Sequence, residues 1–344
     1  MGNEINELVS PNGNRDIDWL KTALQLAIQL EFFTIPPYLI GFWSVEDPRD
    51  PVAVAIREVL VEEMLHMSLV CNMLKAIGGK PLIANKNVVP KYPSAMPGGV
   101  KPDLKVHLEG LNENSIQVFM EIEEPEEDIA HLERVETPED TYPRIGAFYD
   151  AIYEAFKHIK PKITRDGQLE GYFGESRDHG GEDISKNIGN IEEVKAAIDL
   201  IKDQGEGTSQ SVADEDTGEL AHYYRFKEIH VGRKIVWVPD REQWVHQGEK
   251  VKMPDCWPVG RVPKGGYKKK NVPNDTWQLM AEFDLIYSDV LRKLDTAWCD
   301  GDQGSLHAAM ELMMDRMPSL AREIMQVEKE PSHNFAPSFK FIEK

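Results

Sequence analysis

Apolar positions recur at helical spacing along most of the chain, and the stretches where that spacing fails divide it into elements. Between Val54 and Ile77 they fall at Ile56, Val59, Leu60, Met67, Val70, Met73, Leu74 and Ile77. This is the period of an amphipathic helix, which Gly78-Gly79 and Pro81 then stop. Asp16 is a good N-cap for an earlier helix striped by Trp19, Leu20, Ala23, Leu24, Ala27 and Leu30. Pro36-Pro37 predict a kink in it just past Glu31, since Pro36 offers no N–H and crowds the carbonyl of Phe32. A further helix is predicted from Pro143, a favourable first residue, to about Ile159, with Ile145, Phe148, Tyr149, Ile152 and Phe156 on its main face. Ile191 to Asp203 reads as a short helix. Another, capped by Thr217, starts at Gly218 and places Glu219, His222, Tyr223, Phe226 and Ile229 on one face. Two helices close the chain, one lined by Trp277, Met280, Tyr287, Leu291, Leu294 and Trp298, the other by Leu306, Met310, Met313, Met317, Leu320 and Ile324.

Residues 80–143 lack a helical period. Leu104–Leu108 and Ser115–Ile122 alternate, which predicts a small β-hairpin, and the acidic run Glu121–Asp128 reads as a solvated edge. Residues 161–190 read as loop, Lys234–Val238 as a short strand, and 239–273 as a Pro- and Gly-rich linker. The fold class is therefore mainly α: a helical bundle with a small β-hairpin insertion and two extra C-terminal helices. The predicted division is 1–235 for the bundle, with its insertion at about 80–143, and 236–344 for a linker and helical pair packed on the same core.

Several charged residues sit on the apolar stripes. Glu31 falls four residues after Ala27 and seven after Leu24, while Glu63 and His66 are three apart on the greasy face of their helix. Glu219 and His222 repeat that spacing. A carboxylate or imidazole buried in a bundle costs several kcal/mol unless it is paired, so each needs a metal ion or a hydrogen-bonded structural partner. Two Glu-x-x-His helices, with one Glu from each of two others, is the arrangement of carboxylate-bridged two-metal bundles. On that reading the ligands are Glu31, Glu63, His66, Glu154, Glu219 and His222. Glu154 borders a row of Ala147, Ala151 and Ala155, with Asp150, Lys157 and Lys160 on the wet side, so ligand and surface roles both stay open. Asp284, within an apolar face, is the reserve. Tyr149 and Tyr223 read as core aromatics or as pocket elements. The donor set holds carboxylate and imidazole without thiolate, which suits two non-haem iron ions, or manganese, over structural zinc.

Composition narrows the partners. Over 344 residues the net charge is −20, so nucleic acid and anionic lipid surfaces are unfavourable partners. The basic cluster Arg261–Lys270, broken by Pro263, Gly265 and Gly266, reads as a solvated loop. Three scattered cysteines outside any Cys-x-x-Cys point to reduced thiols and a cytoplasmic setting. The polar N-terminus lacks a signal-peptide core, and the longest apolar run, Phe32–Trp43, is short and interrupted, so no membrane association is expected. The expected partners are a small-molecule substrate and dioxygen; a homo-oligomer is compatible with the sequence.

Five stretches together resemble a known family: Gln29-Leu30-Glu31 to Pro36-Pro37-Tyr38-Leu39; Glu62-Glu63-Met64-Leu65-His66-Met67; Ile145-Gly146-x-Phe148-Tyr149; Gln204-Gly205-Glu206-Gly207; and His222-Tyr223-Tyr224-Arg225-Phe226. The family is the ferritin-like, iminophenyl-pyruvate dimer synthase domain of violacein- and rebeccamycin-type pathway enzymes. The resemblance spans roughly residues 15–235. It implies a non-haem metal site and, in those natural-product pathways, oxidative coupling of imines of aromatic α-keto acids. The members of those pathways carry the domain in a much longer chain. Three functions compete: a di-iron, oxygen-dependent oxidoreductase acting on a small amino-acid-derived substrate; a manganese catalase-like or iron-handling protein; and a non-catalytic helical bundle.

Overall fold

The structure is a computed structural model that describes residue 5 and residues 15–125, 145–175, 182–205, 212–213, 218–330 and 332–343. Helix α1, Ile17–Ser44, starts where Asp16 accepts hydrogen bonds from the backbone of Asp18 (3.1 Å) and Trp19 (2.9 Å), a cap worth about 1 kcal/mol. It carries on through Pro36 and Pro37. Pro37 has no N–H for the carbonyl of Phe33, and that carbonyl instead accepts a 2.6 Å hydrogen bond from the Tyr92 hydroxyl. By length and composition α1 could cross a bilayer, but 89% of its most apolar window is buried inside the protein, as in a core helix.

Helix α2, Pro51–Ala76, begins with Pro51 behind an Asp50 cap. It ends at Gly78, whose φ of 70° is the left-handed conformation that favours glycine. Gly78 N–H bonds the Lys75 carbonyl and Gly79 N–H the Leu74 carbonyl, both at 2.9 Å, which closes a Schellman motif. Among the described residues α1 and α2 form the most extensive helix pair.

The next helix corrects the hairpin expectation for Leu104–Ile122. Glu113–Ile122 is α3, opened by a capping box in which Asn112 accepts from Ser115 N and Ser115 Oγ accepts from Asn112 N. Apolar residues at 116, 118, 119, 120 and 122 satisfy a strand period and a helix period alike. Packing against a later helix decides, burying Ile116, Phe119 and Ile122 and leaving Val118 and Met120 half-buried.

Helix α4, Ile145–Ile159, lies where the periodicity placed it; Pro143 is outside the described residues. Gly171–Glu175 (β1) and Glu182–Ser185 (β2) form a two-stranded antiparallel sheet within a stretch expected to be loop. Helix α5 is Ile191–Gly205. Helix α6 is His222–Val231 and begins later than expected: Leu220 makes an isolated β-bridge with Ala213, and the chain turns into helix only at His222. The Thr217 cap lies outside the described residues. A short hairpin pairs Val236–Val238 (β3) with Gln243–Val245 (β4).

Helix α7 is Asn274–Asp300, and α8, Gln303–Glu311, runs through a π-helical turn at Leu312–Arg316 into α9, Met317–Met325. These C-terminal helices share one continuous hydrophobic cluster with α1 and α2, in which Phe283 and Phe339 pack on Trp43. A last short pair, Glu328–Glu330 (β5) with His333–Asn334 (β6), precedes the tail. The protein is thus a helical bundle carrying small two-stranded sheets, and α1, α2, α3 and α6 enclose its polar centre.

Candidate metal centre

In that centre, among the described residues, six buried carboxyl and imidazole side chains converge from four helices: Glu31 from α1, Glu62, Glu63 and His66 from α2, Glu123 at the end of α3, and His222 at the start of α6. Two overlapping groups within it each present three donor atoms lying within 4.8 Å of one another: Glu31, Glu63 and His66; and Glu63, Glu123 and His222. Glu63 belongs to both. Its Oε1 lies 3.5 Å from His66 Nδ1 and 3.0 Å from His222 Nδ1. His66 Nδ1 is also 3.7 Å from Glu31 Oε2, and His222 Nδ1 3.5 Å from Glu123 Oε2.

Each inner group is fixed from outside. Tyr149 of α4 donates a hydrogen bond to Glu31, and Tyr38 of α1 donates one to Glu123. The Thr34 hydroxyl, with a single proton to give, lies 2.6 Å from Glu63 Oε2 and 2.8 Å from the Glu31 carbonyl. His66 Nε2 lies 2.7 Å from Gln204 Oε1, and His222 Nε2 2.7 Å from Glu62 Oε2. Since each Nε2 meets an oxygen acceptor, it carries the proton, and in the neutral ring Nδ1 turns a lone pair inward. Arg225 holds the other Glu62 oxygen at 3.0 Å. Just outside, the rings of Tyr38, Phe119 and Phe226 pack at 4.7–5.4 Å and tie α1, α3 and α6 together.

Charges in the group are strongly coupled. Burial pushes Glu31 and Glu123 up from the ordinary carboxyl value, and the charge on Glu63 adds to it. Burial opposes ionisation of Glu63 too, but His222 and His66 outweigh it and hold its carboxyl well below the usual range. Burial disfavours the charged imidazoles, yet the surrounding carboxylates prevail, raising His66 to about 10 and His222 well above its ordinary value. A centre without cations therefore gathers protons in their place.

The residues present fit divalent cations. Among the described residues His222 Nδ1 is buried without a hydrogen-bond partner; its 3.0 Å approach to Glu63 lies outside hydrogen-bond geometry. An inward lone pair beside two carboxylates is what a metal ligand requires, and an outward N–H on an acceptor is the usual support for one.

Of the six residues expected from the sequence, the structure brings together Glu31, Glu63, His66 and His222. Glu154 is elsewhere: it is exposed on α4 and paired with Lys157 at 2.7 Å, while Tyr149 occupies the inward face of that helix. Glu219 also stands apart. It precedes α6, so the i, i+3 relation that would align it with His222 is lost, and it lies 4.0 Å from Arg225. Asp284 is buried at the C-terminal tail, where it accepts a 3.0 Å hydrogen bond from Lys340 N. Tyr223 is half-buried against Tyr224 and Lys227.

Glu123, Glu62, Gln204 and Arg225 were not among the expected site residues. Glu123 sits in the acidic run read as solvated, and the signal for it was the Asn112–Ser115 capping box, which makes a helix ending beside it. Glu62 adjoins Glu63, while Gln204 and Arg225 lie in stretches that carried the family resemblance.

Comparison with known proteins agrees with this fold. A ferritin-like family model matches residues 24–231. The dichlorochromopyrrolate synthase of Lentzea aerocolonigenes is 25% identical over 378 residues, covering 94% of this chain and 35% of that enzyme. The chain thus spans about a third of the length of this curated relative. Among solved structures, a ferritin-like protein from Caulobacter vibrioides superposes with a TM-score of 0.61 at 20% identity, over 89% of this chain and 94% of that one. The chain belongs to the ferritin-like family.

Proposed function

We propose that this protein is a non-haem di-iron, oxygen-dependent oxidoreductase acting on a small amino-acid-derived substrate in natural-product biosynthesis. One observation carries the reading: two buried three-residue donor groups share Glu63, and each includes an imidazole whose Nε2 is anchored outward and whose Nδ1 faces the carboxylates. Glu31 and His66 would hold one ion, Glu123 and His222 the other, with Glu63 common to both. A donor set of carboxylate and imidazole without thiolate suits iron or manganese. An iron pair in such a set supplies binding and reduction of dioxygen.

The chain's own residues give that chemistry its setting. Tyr149 and Tyr38 fix the outer carboxylates, Gln204 and Glu62 fix the rings, and Thr34 orients the shared carboxylate. Tyr149, Tyr38, Glu62 and Thr34 are buried and Gln204 is half-buried, which keeps bulk water from the centre and strengthens each interaction. The similarity to dichlorochromopyrrolate synthase supports a biosynthetic enzyme, and an aromatic imine or α-keto acid is the substrate class we favour. The decisive experiment adds Fe(II) to metal-free protein and follows oxygen uptake with such substrates. Uptake stimulated by substrate supports the reading. Peroxide breakdown by the manganese form without oxygen uptake would support a catalase-like function instead, and binding of neither metal would leave a structural bundle.

A further inference from the structure

The two halves of the centre match at their inner positions and differ at their outer ones. On one side Glu31 accepts from Tyr149 and His66 faces Glu63 through Nδ1. On the other Glu123 accepts from Tyr38 and His222 faces Glu63 through Nδ1. Both rings turn Nε2 outward to an oxygen at 2.7 Å. There the likeness ends. His66 meets the neutral amide of Gln204 on α5, whereas His222 meets the carboxylate of Glu62 on α2. Arg225 bonds the far oxygen of Glu62 at 3.0 Å and itself donates to the Leu220 carbonyl, so the carboxylate is held in place.

This difference bears on cation binding. An imidazole whose N–H is given to a carboxylate is a more basic, better-oriented ligand than one whose N–H is given to an amide. The guanidinium tempers the charge of Glu62, but it bonds the other oxygen and does not come between carboxylate and ring. Among the described residues nothing comparable reinforces Gln204, which can orient His66 but brings no charge.

We infer that the Glu62–Arg225 pair makes the two halves unequal, with the His222 half the tighter divalent-cation site and the first to fill. Glu62 and Gln204 are positioning residues that act through the rings. The inference rests on the two-metal reading above.

The test is an anaerobic titration of the metal-free full chain with Co(II), following heat and the visible absorption that reports its ligands. Wild type is expected to bind two ions in two resolved steps. His222→Ala should remove the tighter step and His66→Ala the weaker one. Glu62→Gln keeps an acceptor at the ring but removes its charge, and should weaken the tighter step about 10- to 100-fold, drawing the two steps together. Gln204→Glu leaves Arg225 paired and should tighten the weaker step, so the proposal stays testable if Glu62→Gln misfolds. Two steps of equal affinity in wild type would overturn it, as would Glu62→Gln acting on the weaker step or His66→Ala removing the tighter one. Binding of no ion at all would overturn the two-metal reading, and this inference with it.

Discussion

Asp284 should impose a pH dependence on stability that can be isolated with one substitution. Its carboxyl is buried where α7 meets the C-terminal tail, accepting from Lys340 N at 3.0 Å and lying 3.4 Å from Ser338 Oγ. Burial pushes it from an ordinary 3.8 up to about 7, against the lowering effect of the Lys340 and Ser338 contacts and the Lys340 charge. The folded state therefore holds a proton that the unfolded chain releases. Stability is highest below the unfolded value and falls as pH rises toward the folded one. Each pKa unit corresponds to 1.36 kcal/mol, so the full loss is at most about 4 kcal/mol, of which roughly 3 falls between about pH 5 and pH 8. Asp284→Asn keeps an oxygen for Lys340 N and cannot ionise. Urea denaturation of both proteins at the two pH values gives the difference between them, in which distant titrating groups cancel. The variant should gain on wild type by up to about 3 kcal/mol on going to the higher pH. A difference that does not change with pH, or a variant that loses ground as pH rises, would show that the folded protein does not hold a proton on Asp284.

Two further expectations follow from where the structure places particular groups. Glu123→Gln should lower bound metal, while Glu154→Gln, on an exposed face, should leave metal content unchanged and stability within about 0.5 kcal/mol; metal analysis with thermal melting checks both. Tyr92→Phe should cost about 1–3 kcal/mol in denaturant, because it strips the Phe33 carbonyl of the partner that replaces the N–H missing at Pro37.

The long helices were legible in the sequence because their signals agree. At α1 the Asp16 cap and the apolar stripe point the same way, and at α2 the stripe and the Gly78-Gly79 stop do. Ser115–Ile122 was not legible as helix, since its apolar residues satisfy both periods and contact with α6 settles the matter. That misreading hid Glu123. The Glu-x-x-His spacing lies within one helix at Glu63 and His66, where α2 is continuous, but not at Glu219 and His222, where the bridge from Leu220 to Ala213 delays the helix. Spacing implies a shared face only inside a helix. Glu154 was truly ambiguous from periodicity, because the row beside it is alanine and the distinction is one of a few tens of degrees around α4. The outer partners Gln204 and Arg225 come from helices remote in sequence from Glu63, and no local pattern announces such contacts.

The proposed chemistry depends on two cations sharing Glu63. Anomalous diffraction at the iron and manganese edges, from crystals of protein loaded with Fe(II), tests it most directly. Two peaks are expected, one in contact with Glu31, Glu63 and His66, the other with Glu63, Glu123 and His222, and none at Glu154, Glu219 or Asp284. A centre without anomalous signal, or metal bound only through Glu154 or Glu219, would contradict it.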